Sequence, residues 1–424
     1  MGLTLAEKIL LAHTEAEEIQ PGDIVMISCD IVMANDISGS LAFREMSRMG
    51  ATKVFDPAKV VMVADHFMPA KDAKSAELQH ILKEWSNEQG VAFYGQGRGG
   101  IEHAVLVEDG WVVPGDVVAG GDSHTCTHGA LGAFATGLGS TDIAACLSLG
   151  EFWQSVPGTI RVEFTGEKQP FVSGKDLILA VIEQIGVGGG TNHVLEFVGE
   201  GAEALSIDER LAVSNLAVEA GSETGIFPAD EITSAYLDGR ARRDWSAERS
   251  DDDAVFAQQL HIDLDELSPR VAMPHSPGNV VPLEQAKGIP IDQAYIGNCS
   301  NGTMTDLRQA AQLFRGRRVH DRCRAIIVPA SVKIYREALA EGLIDTFVEA
   351  GAVVSPPTCG ACFGGGMGVL AAGEKAVATT NRNFKGRMGS PDAEVHLANS
   401  WIAAAAAVAG EIVDPAEVLG QVPA

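Results

Sequence analysis

Basic residues are scarce: 31 Lys and Arg stand against 57 Asp and Glu, so the 424-residue chain carries a net charge of −26 at pH 7. A surface that negative repels phosphate backbones and anionic lipid, which argues against nucleic acid or membrane as a partner. It also repels small carboxylates, so a site for one must bring its own arginine or metal charge. Long apolar runs are missing too. None approaches the roughly 18–20 residues that span a bilayer, and the Ala-rich WIAAAAAVAG near the C-terminus reads as a packed helix. The opening MGLTLAEKILLAH mixes acids and bases at helical spacing in place of a signal sequence, so the expected location is cytoplasmic. Cysteines number only seven, an odd count scattered along the chain, which argues against a disulfide framework and leaves reduced thiols or metal ligation.

What is present describes an ordered enzyme: 46% hydrophobic residues, 47 Gly, 21% charged residues and no low-complexity tract. At about 100–200 residues per domain, the length implies two or three domains. Apolar β-branched runs such as DIVMISC, VVMVA and DVVAG alternate with helix-period segments such as SLAFREMSRMG and AKSAELQHILKEWSNEQ. That alternation predicts an α/β fold built from βαβ units around mostly parallel sheets. A fresh strand-helix start at RVEFTG and SGKDLILAVIEQIG, and another from QAYIG onward, divide the chain into residues 1–158, 159–285 and 286–424. The charge-rich RARRDWSAERSDDD reads as a surface excursion.

Several short segments hold residues that do chemistry. TCGAC places Cys359 and Cys362 in a C-x-x-C after the apolar AVVS, and YIGNCSNG holds Cys299 after another apolar run. A structural zinc would want a fourth donor from a second cluster of this kind, and the chain has no second C-x-x-C. Three thiolates are one short of the usual four-cysteine set, and an iron-sulfur cluster so held keeps one iron open. Taken alone, Cys299 reads equally as a small buried hydrophobe. GGDSHTCTHGALGAFATGLGSTD begins where the strand DVVAG ends, which puts Asp122, Ser123 and His124 where open α/β sheets bind ligands. His124, Cys126 and His128 can also be read as zinc ligands, although the histidine pair lacks the glutamate and helix of a zinc-protease motif. Asp65 and His66 follow VVMVA, and His103 lies in GGIEHAVL. A carboxylate against a histidine raises its pKa and makes it a general acid near neutral pH. In SIDERLAVSNLAVEAGSETG a capping box at Ser206 and Glu209 and a closing Gly221 predict one helix with Asn215 and Glu219 four apart on one face. NRNFKGR supplies Arg382 and Arg387, whose planar guanidinium groups suit carboxylates.

Asp-His, GIEH, GDSHT, Asn-xxx-Glu, a lone Cys before Ser-Asn, C-x-x-C-x-G and NRNFxGR occur in one order over nearly the whole chain. That order resembles the aconitase superfamily. The resemblance implies three α/β/α domains of aconitase type around a central 4Fe-4S cluster on Cys299, Cys359 and Cys362, one per subunit, with one iron open to substrate. It implies a hydro-lyase in which Asp65-His66 and His124-Glu219 help a hydroxyl leave as water, assisted by His103, Asp122 and Ser123. Asn35, Asp36, Asn215, Asn301, Arg382 and Arg387 would line or support the substrate, a hydroxy di- or tricarboxylic acid; 2-isopropylmalate, converted to its 3-isomer in leucine biosynthesis, is the favoured one. Single-chain members carry a swivelling fourth domain with a proton-abstracting serine and another arginine. No matching Ser-Arg segment follows NRNFKGR, so the resemblance implies a heterodimer completed by a small subunit that carries them. Two readings of other classes stand beside this one: an electron-transfer iron-sulfur protein, with Cys29, Cys126, Cys146 or Cys323 as fourth ligand, and a cluster-free RNA-binding role, which the acidic charge disfavours.

Overall fold

The computed structural model describes residues 2–420. Three sheets, rich in parallel pairing, organise the chain. The first has the order Ala92–Tyr94, Val60–Val63, Ile31–Asn35, Val117–Gly120 and Phe134–Gly137, every neighbour parallel. Its inner strands read as continuous apolar runs because helices cover both faces, and Val60–Val63 is buried at all four positions. Ala73–Gln89 forms one of those helices, started by the Asp72 carboxylate accepting from the Ser75 amide and stopped at Gly90. A separate antiparallel pair joins Ile24–Ser28 to Glu151–Ser155.

The second sheet, also parallel throughout, has the order Thr224–Ile226, His193–Val198, Gly158–Thr165 and Gln258–Asp263. The third has seven strands, and its five from Glu394–Leu397 through Lys375–Ala378, Gln293–Gly297 and Arg324–Val328 to Val353–Val354 are parallel. Arg270–Ala272 and Val280–Pro282 extend that sheet in antiparallel fashion, so it begins before residue 286, where sequence pattern alone places the start of the third unit. Three-residue strands are too short for periodicity to reveal. The Ala-rich Ser400–Ala409 is a helix buried along most of its length, and no helix among the described residues is long and apolar enough to cross a membrane. Residues 240–253 form no helix or strand and none of their side chains is fully buried. Arg243 nevertheless ties this segment to the first sheet through Asp116 and the Trp111 carbonyl.

One expectation changes at the level of local structure. The predicted long helix breaks: Ile207–Asn215 is α-helical with the Ser206–Glu209 capping box in place, and a separate 3₁₀ turn, Ala217–Ala220, carries Glu219 before Gly221 closes it at φ 85°. Glu219 on this tighter turn meets His124, with Oε1 at 3.0 Å from Nε2.

The loop that follows Val117–Gly120 packs directly on the second sheet. The Phe227 amide donates to the Gly129 carbonyl at 3.0 Å, and a Cβ on Gly129 would collide with the Gly225 carbonyl. Gly129→Ala must therefore push the two sheets apart, and overpacking of this kind costs about 1–3 kcal/mol. A lower urea midpoint with an unchanged slope is the expected outcome.

Candidate active site

The carboxyl ends of parallel strands from the first and third sheets face one another across a narrow cleft. From the first sheet come Asp65 and His66, just past Val60–Val63, and Asp122 and His124, just past Val117–Gly120. From the third come Cys299 after Gln293–Gly297, Cys359 and Cys362 after Val353–Val354, and Arg387 beyond Lys375–Ala378. Backbone bonds join the halves: the Cys359 amide donates to the Asp65 carbonyl at 3.0 Å, the Gly360 amide to the His66 carbonyl at 3.3 Å, and the Thr358 hydroxyl to the Asp65 carbonyl at 2.9 Å.

The acid-base groups form one network. His66 Nδ1 lies 2.7 Å from Asp65 Oδ1, and its Nε2 faces Asp122 Oδ2 at 3.6 Å. Burial works against a charge on His66, yet Asp65 and Asp122 outweigh it and hold the imidazole pKa well above 6.5. Asp122 meets three histidines, with His103 Nε2 at 3.0 Å and His124 Nδ1 at 3.4 Å. Despite burial, their hydrogen bonds keep its carboxyl well below the ordinary range. His124 Nε2 bonds Glu219 Oε1 at 3.0 Å; burial opposes its charge, but Asp122 and Glu219 raise its pKa. Arg382 Nε reaches the same Glu219 oxygen at 2.6 Å.

Not every expected residue touches the cleft. Asp36 accepts the backbone amides of His66 and Phe67, each at 3.1 Å, and so shapes the turn. Asn35 caps the following turn through the Ser38 amide and holds Glu102 at 3.0 Å. Ser123 lies 3.4 Å from His124 Nδ1. Asn215 donates to Cys299 Sγ at 3.3 Å, and Asn301 sits behind, between Lys175 and Asp306. Arg382 is committed to Glu219, whereas Arg387 lines the cleft with its buried Nε unpartnered.

Four residues enter that motif reading does not single out. Glu102 is buried in the cleft wall, and burial with Asp65 and Asp122 beside it pushes its carboxyl well above the ordinary range. Asn381 donates to Cys299 Sγ at 3.2 Å. Asn298 adopts φ 90° after Gly297 at φ 127°, a left-handed pair that turns Cys299 out of the strand end. Glu102, Asn381 and Asn298 are sequence neighbours of His103, Arg382 and Cys299, so adjacency was the available signal. The fourth, Lys175, lies in no motif.

The donor set fits an iron-sulfur cluster better than a single ion. Among the described residues, the triads close enough for one ion are Asp36-Asp65-His66 and His66-Glu102-Asp122, and neither contains a cysteine. Cys299, Cys359 and Cys362 line the same cleft at wider spacing, as donors to different irons require. Cys362 is held below the ordinary thiol range by the Cys359 thiol, which donates to it, and by Arg387. Burial pushes Cys299 up against the two asparagine N–H donors, which favour its thiolate. The other thiols point elsewhere: Cys126 donates to the Asn215 carbonyl, Cys29 and Cys146 are free thiols that lie against one another, and Cys323 turns to the Arg324 carbonyl. Among the described residues His124, Cys126 and His128 are not a trio whose donor atoms come close enough together to share one ion, so the zinc reading is not supported. Replacing Cys299, Cys359 or Cys362 singly by Ala is expected to abolish the visible absorbance after anaerobic reconstitution with iron and sulfide, while Cys126→Ala and Cys323→Ala retain it.

Comparison with known proteins places this geometry. The pattern of the "Aconitase family (aconitate hydratase)" matches residues 7–288 and 283–410. The chain is 72% identical over 99% of both chains to 3-isopropylmalate dehydratase large subunit 2 of Rubrobacter xylanophilus. It is 52% identical to the large subunit from Moorella thermoacetica and 50% identical to large subunit 1 of Pyrococcus abyssi, in each case over 99% of this chain and 100% of the relative. Thermococcus kodakaraensis aconitase X in its holo-form superposes over 100% of both chains with a TM-score of 0.53 at 13% identity, a likeness of fold alone. The cleft of paired histidines and carboxylates facing three cysteines is thus carried on a chain that belongs to the aconitase family.

Proposed function

We propose that this chain is the large catalytic subunit of a 3-isopropylmalate dehydratase, a cytoplasmic hydro-lyase that converts 2-isopropylmalate to 3-isopropylmalate in leucine biosynthesis. The observation that carries the reaction class is a buried His66, hydrogen-bonded to Asp65 and facing the same cleft as three cysteines. Full-length likeness to relatives of that name supports the substrate.

Cys299, Cys359 and Cys362 would hold a 4Fe-4S cluster, which when bound supplies a Lewis acid to the substrate hydroxyl through an iron free of protein ligands. The protein's own groups do the rest. Arg387, whose Nε has no protein partner, takes a substrate carboxylate in a chain that otherwise repels anions. His66 donates the proton at Nε2 that turns the leaving hydroxyl into water, and Asp65 at Nδ1 keeps the ring charged and oriented. His124, held between Asp122 and Glu219, is a second proton store, and Arg382 fixes Glu219 from behind. Rehydration on the neighbouring carbon reverses the transfer, so there is no net redox change. A small subunit supplies the serine base for the carbon-bound proton, a further arginine and contacts to the variable side chain. The relatives' designation as large subunits supports that partner. Homocitrate and 2,3-dimethylmalate fit the same machinery and differ in the part of the substrate the partner would read.

The deciding assay combines the reconstituted chain with its small subunit under anaerobic conditions and follows alkene absorbance from each of the three acids. Turnover of 2-isopropylmalate that needs both subunits is expected; a cluster that forms with no turnover of any hydroxy acid refutes the hydro-lyase reading. Arg387→Ala removes a charged hydrogen bond worth about 1.5–3 kcal/mol, so kcat/KM is expected to fall roughly 10- to 100-fold. The pH profile tests His66. Its raised pKa keeps the acid form present below that pKa and loses it as pH rises through it. Asp65→Asn lowers the pKa, so the alkaline limb of kcat should move to lower pH, and a limb that stays in place removes His66 from the role.

A further inference from the structure

Lys175 is fully buried at the second position of the helix Gly174–Ile185. A cation there opposes the positive end of the helix dipole, and burial adds a desolvation cost. Its ammonium has three donors, and all go to neutral oxygens: Asn301 Oδ1 at 3.2 Å and the carbonyls of Thr379 and Thr380, each at 2.8 Å. The nearest carboxylate along these bonds is Asp306, reached only through Asn301, whose amide donates to Asp306 Oδ1 at 3.0 Å. Asp306 is the first of the negative groups that sustain the charge on Lys175, but it is itself buried, which raises its pKa, and its oxygens are also shared by Thr303 and Ser400. The other negative groups that act on Lys175 are the sulfurs of Cys362 and Cys299 and, after them, the Asp176 carboxyl, whose oxygens are taken by Ser173, the Arg270 amide and Asn399. Burial lowers its pKa to about 8 while these neighbours sustain the charge.

The same three oxygens belong to the segments that present the cysteines. Asn301 is two residues past Cys299, and Thr379 and Thr380 precede Asn381, which donates to Cys299 Sγ. The Ser300 hydroxyl lies 3.2 Å from the Thr379 carbonyl and 2.8 Å from Asn381 Oδ1, closing the circuit.

We propose that Lys175 is the inner counter-charge of the iron-sulfur site: a positioning residue that offsets the negative charge collected by Cys299 and Cys362 and locks together the two backbone segments that present Cys299. It touches neither substrate nor the reacting atoms. The proposal rests on the cluster reading above.

Lys175→Met and Lys175→Gln, each reconstituted anaerobically beside the wild-type chain, test it through the cluster itself. Three readings are taken: the rate of cluster loss to an iron chelator, the cluster's midpoint potential by electron paramagnetic resonance, and Tm with and without cluster. Outer-shell partners typically change metal affinity about 10- to 100-fold, so cluster loss should speed up at least roughly tenfold in both variants. The potential should shift negative, because a nearby positive charge that eases reduction is gone, and Tm should fall further with cluster than without. An unchanged potential, with equal Tm losses in both forms, makes Lys175 a structural residue and overturns the proposal. If the Met variant does not fold, the Gln variant decides, since its amide keeps N–H donors without the charge. A wild-type chain that takes up no cluster overturns the cluster reading instead, and that outcome is visible before any variant is compared.

Discussion

The backbone bonds between the Asp65-His66 turn and the Thr358–Gly360 loop hold the cleft together. The carbonyls of Asp65 and His66 take their donors from the loop that carries Cys359, so acid and thiol cannot move independently. Asp36, fully buried, accepts the amides of His66 and Phe67 from the other side. A turn whose amides and carbonyls are all engaged has little freedom to relax, and that rigidity is what pre-organises an acid for proton transfer.

Charge is arranged in the cleft as alternating signs. His66, His103 and His124 surround Asp122, Asp65 backs His66, and Glu219 bridges His124 and Arg382. Burial works against charge on His66, His124 and Asp122; together they hold opposite shifts, His66 and His124 upward and Asp122 downward. Glu102, with like charges beside it and burial around it, moves the other way. The same logic extends behind the cysteines, where Lys175 meets only neutral oxygens.

Much of the site lay open to a reader of the sequence because its parts follow strand ends. Asp65-His66, Asp122-Ser123-His124, Cys299 and the C-x-x-C each come directly after an apolar run, and in a parallel α/β sheet that position is the ligand-binding edge. The helix through Asn215 and Glu219 was harder: periodicity carries on through Leu216, while the observed turn after the break carries Glu219, whose partners His124 and Arg382 come from distant segments. The short strands Arg270–Ala272 and Val280–Pro282 escaped notice for a related reason, since their pairing partners lie more than a hundred residues away or in each other.

By itself the sequence determined residue chemistry and order: the alternating strands and helices, the acidic surface, the cysteine trio and the Asp-His pairs. These depend on local periodicity and on which side chains exist, and both are properties of a chain read end to end. Tertiary structure alone decided which of two arginines is free, that Glu102 is buried with its carboxyl pKa pushed up, and that Lys175, in an unremarkable helix start, lies behind the cysteines. Those outcomes turn on burial and on partners from distant segments, since the electrostatic character of a side chain is set by what surrounds it.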